Sequence, residues 1–126
     1  MEKLNLDTGV VTYRIPGCGT LRFNPADPNL YGRFYEAQEK FTVLEQELLS
    51  AQGDTVALMG MADQKLKALL GWMLGGDNDL DKALGGVSLL AVCGNGHTLA
   101  ANLMAALQKI LEEGAARLAE AKAASL

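Results

Sequence analysis

The sequence predicts a mainly α domain that opens with a β-hairpin or small antiparallel sheet. Three observations carry this. Residues 10–23 alternate in character around a proline–glycine turn, and residues 30–48 carry apolar side chains at helical spacing. Beyond them, apolar segments with helical periodicity are separated by paired glycines. Together they predict a bundle of three long helices with short helical segments between, in one domain spanning 1–126. Within it, 1–24 forms the hairpin region, 27–113 the helical core and 114–126 a C-terminal helical extension that either continues the last helix or frays.

The hairpin comes first. Val10-Val11-Thr12-Tyr13-Arg14-Ile15 is rich in β-branched and aromatic residues, and Thr20-Leu21-Arg22-Phe23 alternates in the same way. Pro16-Gly17-Cys18-Gly19 between them supplies a fixed φ and two residues free to take φ > 0. Asp7-Thr8-Gly9 offers a second turn, with Lys3 to Leu6 as a short third strand.

Asn24-Pro25-Ala26-Asp27-Pro28 ends the sheet. Asp27 suits an N-cap with proline at the first helical position, where the missing N–H costs nothing. The first helix should run to about Gln52. Its stripe of Leu30, Phe34, Ala37, Phe41, Leu44 and Leu48 is spaced 4, 3, 4, 3, 4, and the charged residues lie off it. Gly53-Asp54 closes this helix and caps the next, which should run from Thr55 to about Leu74. Met59, Leu66, Leu69, Leu70 and Met73 form its apolar face, with Trp72 off that face, and Gly75-Gly76 ends it.

Asn78 or Asp79 should cap a short helix reaching Leu84, which Gly85-Gly86 terminates. Val87 to Val92 is a short apolar run compatible with either helix or strand, and Gly94-Asn95-Gly96 breaks it. A last helix should begin near His97 or Thr98 and bury Leu99, Leu103, Leu107, Ile110 and Leu111.

Composition narrows the function classes. The net charge is −4, and no third of the chain is basic, so a grip on nucleic acid phosphate has no source. No apolar run reaches the length of a bilayer span, and Met1-Glu2-Lys3-Leu4-Asn5 does not open an export signal. The expected location is the cytoplasm. Two distant cysteines, Cys18 and Cys93, are expected as reduced thiols.

Candidate chemistry is sparse. Asp77-Asn78-Asp79-Leu80-Asp81 begins like a calcium loop, but Lys82 and Ser88 stand where glycine and a bidentate glutamate are required. A solvated turn with helix-starting charges is the expectation. His97 lies four residues after Cys93, with Asn95 and Asn102 as the nearest orienting groups. A Cys–His nucleophile remains a reading, though glycines on both sides of Asn95 work against a fixed pair. Gly17-Cys18-Gly19 and Gly94-Asn95-Gly96 continue into no phosphate-cradling motif. No catalytic, cofactor-binding or metal-ligating residue is assigned, and no enzyme is expected.

The stripe from Leu30 to Leu48 has two readings. It is the core face of the longest helix, or part of it meets another chain with Tyr31, Tyr35 and Leu49 on its flank. The candidate partner-binding residues are therefore Leu30, Tyr31, Phe34, Phe41, Leu44 and Leu48. Met59, Met61, Met73 and Met104 suit either an adaptable surface or core filling.

Phe23-Asn24-Pro25-Ala26-Asp27-Pro28, followed by Tyr31 and Phe34, resembles the junction in phage tail assembly chaperones of tailed phages and prophages of Gram-positive bacteria. Leu84-Gly85-Gly86-Val87 and Asn102-Leu103 to Leu107 match later elements in the same order, although the family often has an aromatic where Leu84 stands. The resemblance implies a cytoplasmic, non-enzymatic protein without cofactor. Such a protein binds the tape measure protein, keeps it soluble, helps recruit tail tube protein and is absent from the finished virion. A homo-oligomer is compatible with it. The alternatives are a head–tail connector or tail completion protein, which would remain in the particle, and a small enzyme built on Cys93 and His97.

Overall fold

The computed structural model describes every residue except Gln52, Asp54 and Leu126, so the expected helix end at Gln52 and the cap at Asp54 lie outside the described residues. Strands β1 (Val11–Arg14) and β2 (Thr20–Phe23) pair antiparallel, with Val11 opposite Phe23 and Arg14 opposite Thr20. The turn closes where Ile15 N–H donates to Gly19 O at 2.8 Å and Cys18 N–H to Ile15 O at 2.9 Å, with Gly17 at φ +76°. Alternation along β2 sends Leu21 and Phe23 into the core and Arg22 outward, and Tyr13 stacks on Phe23 at 4.6 Å.

The expected third strand does not form. Asp7 does make its turn, accepting from Gly9 N–H at 2.9 Å, but Leu4 and Leu6 stand exposed in a segment without regular structure. The outer edge of β2 is occupied instead by Asn78, whose side chain accepts from Arg22 N–H and donates to Arg22 O, both at 2.7 Å. One side chain does there what a strand would do.

Helix α1 (Pro28–Ser50) starts as its sequence dictates. Asp27 accepts from Asn29 N–H at 3.0 Å, and Pro28 fills the first helical position. Helix α2 (Thr55–Leu74) buries Leu66, Leu70, Met73 and Leu74. Met59, expected on that buried face, lies 46 % exposed, for a reason given below. The end of α2 is fastened from α1: Arg33 Nε–H donates to the Met73 carbonyl at 2.8 Å, meeting one of the acceptors a helix end leaves open.

Helix α3 (Leu80–Ala83) is capped by Asp79 and ends where Gly85 and Gly86 take φ of +65° and +78°. The Lys67 ammonium holds it to α2, meeting Asp63 at 3.0 Å and Asp81 at 2.7 Å. The other Asp63 oxygen accepts from Leu89 N–H at 2.7 Å. The run from Val87 to Val92 resolves into turns and an isolated bridge to Thr98, because Ala91 O and Leu89 O are committed to Leu99 N–H and Ala100 N–H. Helix α4 (Leu99–Ser125) then continues through Gly114 without a break. It runs antiparallel along α1: Thr98, Ala101 and Met104 share a groove with Phe41, Thr42 and Glu45, and Leu111 and Ala115 share one with Tyr31 and Phe34.

Candidate functional site

α1 and α2 are longer than the layer that covers them. The stripe on α1 starts sealed, with Leu30 at 1 % exposure and Ala37 fully buried, but Phe34, Phe41, Leu44 and Leu48 are only half-buried. Next to it Leu49 is 80 % exposed. The stripe on α2 behaves alike: Met73, Leu70 and Leu66 are buried, Met59 is not, and Val56 is 80 % exposed. The spacing of Met59 to Leu66, Leu70 and Met73 is 7, 4 and 3, so Met59 belongs to the core-facing side of a helix whose core has ended. α4 begins beside Phe41, Thr42 and Glu45, and it contributes no residue to the groove further along the α1–α2 pair.

The result is a two-helix tip with apolar side chains left in solvent. Between the helices lies a groove of about 200 Å³ lined by Leu44, Glu47, Leu48, Ala51, Leu58, Met61, Ala62 and Lys65. That volume holds one or two side chains and falls short of the ~300 Å³ at which small-molecule pockets begin. What the tip can do is pack against another apolar surface.

The six candidate residues therefore separate. Leu30 lies inside the core and presents nothing to a partner. Tyr31 donates its hydroxyl to Pro25 O at 2.7 Å, and with Phe34 it lines the seam with α4. Phe41 lines the seam with the start of α4. Leu44 and Leu48 stand at the tip groove, close to the exposed Leu49. Sequence reasoning missed Val56 and Leu58. Their signal was present in the spacing of Val56 and Met59 ahead of the Leu66 stripe, but spacing alone does not say where along α1 and α2 the covering helix α4 begins.

Other chemistry is committed to structure. The cleft of about 570 Å³ between the hairpin and residues 74–78 contains Asn24, Asp27, Arg33 and Asn78. Each already serves the main chain: Asn24 holds Thr8 O and Ala26 N–H, Asp27 caps α1, Arg33 fastens α2, and Asn78 binds Arg22 and Gly75 O. Cys93 and His97 are joined main chain to main chain, Cys93 N–H donating to His97 O at 2.8 Å, while Asn95 and Asn102 pair with each other at 2.9 Å. Cys18 and Cys93 are free thiols. Among the described residues no cluster of three potential metal ligands occurs, and no helix is long and apolar enough to cross a membrane. No protein-family model, no curated protein and no solved structure matches the chain.

Proposed function

We propose that this protein is a tail assembly chaperone of a phage or prophage, which binds apolar helical segments of the tape measure protein and keeps them soluble during tail assembly. The observation that carries the reading is the uncovered tip, where Leu48, Val56 and Met59 continue the core faces of α1 and α2 beyond the start of α4, with the exposed Leu49 beside them. A helix laid there extends the three-helix arrangement by one more packed layer. Each Å² of apolar surface it covers contributes about 25 cal/mol before the costs of association. Methionines at 59 and 61 let one surface accept different side chains, as a holder of a long and varied helix requires. The junction from Phe23 to Pro28 supports the same reading, and its parts do structural work: Asp27 caps α1 and Pro25 O receives the Tyr31 hydroxyl.

The test is co-expression with a tape measure fragment that is insoluble by itself. The expected result is a soluble complex recovered on a tag carried by either protein. A fragment that stays in the pellet, with no complex recovered, would overturn the proposal.

A further inference from the structure

The groove at the tip carries a charge on each bank. Leu44 and Leu48 line it from α1 and Leu58 and Met61 from α2, with Glu47 on the α1 side and Lys65 on the α2 side. The helices behind these two residues differ in charge. On α1, Glu36, Glu39, Glu45 and Glu47 are exposed, and the one lysine, Lys40, is paired with Glu36 at 3.5 Å. On α2 the charged residues are Asp63, Lys65 and Lys67; Lys67 holds Asp63 at 3.0 Å, which leaves Lys65. Neither the Glu47 carboxylate nor the Lys65 ammonium has a partner among the described residues. The groove is therefore apolar along its floor, acidic on one bank and basic on the other.

We infer that Glu47 and Lys65 make the tip read the direction of the helix it holds. The partner that fits is an amphipathic helix with basic residues on the flank that meets α1 and acidic residues on the flank that meets α2. Turning a helix end for end, with its apolar stripe still in the groove, exchanges its two flanks. The same helix reversed sets acid on Glu47 and base on Lys65, so that both attractions become repulsions. Exposed ion pairs are individually weak, and the apolar floor contributes alike in either direction. The two charges therefore decide between directions rather than supply affinity. This rests on the tip being a helix-docking surface, and it adds a partner of defined charge pattern seated in one direction.

A synthetic helix of three heptads tests it, with leucine at the first and fourth positions of each heptad, lysine at the fifth, glutamate at the seventh and a nitroxide on the N-terminus. Paramagnetic broadening of the protein's amide signals locates the labelled end. The wild type should be broadened at one end of the groove, either around Ala51 and Val56 or around Val43 and Ala68, with that direction favoured about tenfold. Glu47→Lys combined with Lys65→Glu should move the broadening to the other end, and Glu47→Gln combined with Lys65→Gln should show both. All three proteins should melt together, because both positions are exposed. Broadening at both ends of the wild type, or at the same end in the wild type and the exchanged protein, would overturn the inference and leave the docking surface standing. A peptide that broadens none of the three would overturn the docking surface and the inference with it.

Discussion

Gly114 stands in the middle of α4 against the carbonyl of Pro25, so close that a Cβ there would overlap the carbonyl oxygen. In an open helix, glycine to alanine gains about 0.5–1 kcal/mol. Here the sign reverses, because backbone blocks backbone and neither can rotate away. Gly114→Ala should therefore destabilise the protein by about 2 kcal/mol in chemical denaturation; a neutral or stabilised variant would refute the close approach. Asn78 is a second residue whose role lies outside local sequence. Its side chain satisfies both polar groups of Arg22 and the carbonyl of Gly75. Asn78→Ala should cost about 1–2 kcal/mol, and amide exchange at Arg22 should quicken. The sequence offers Asp79 or Asn78 as the cap of α3, and Asp79 takes that place. Local pattern names the residue types of a turn, whereas which of them reaches a strand fifty residues away is decided by tertiary packing.

At the scale of elements, the boundaries most legible in the sequence were those written by caps and glycines. Asp27-Pro28 starts α1, Gly75-Gly76 ends α2 and Gly85-Gly86 ends α3, each through a physical requirement carried by the residue itself. Less legible were the elements that depend on partners. Lys3 to Leu6 has strand-like alternation, but the β2 edge is occupied. Val87 to Val92 has strand-like composition, but its carbonyls receive the start of α4. The staple between α2 and α3 gives this scale its prediction. Burial works to lower the Lys67 pKa, and the carboxylates of Asp81 and Asp63 together outweigh it, leaving the ammonium above its ordinary 10.5. Burial likewise raises Tyr13 and Tyr31 above 10.0, with Arg117 opposing. In all three the folded chain holds its proton more tightly than the unfolded chain does. Their stabilisation is complete below those ordinary values and is lost as pH rises through the folded ones. Melting temperature should thus fall from about pH 10 upward, and Lys67→Met should melt lower at neutral pH with a shallower alkaline decline. An unchanged alkaline slope in that variant would contradict the role given to the staple.

At the scale of the whole molecule, two long helices and α4, which covers only part of them, leave a tip where Leu49, Val56 and Met59 are exposed. The sequence showed the stripe from Leu30 to Leu48 without showing where core gives way to surface, because the start of α4 beside Phe41 is a tertiary fact. The most direct measurement is the double substitution Leu49→Glu with Val56→Glu, read for both thermal stability and recovery of a co-expressed tape measure fragment. If the tip is a docking surface, the melting temperature should hold, since both side chains are already in solvent, and the fragment should be lost to the pellet. A variant that unfolds, or one that keeps the fragment soluble as well as the wild type does, would contradict the account.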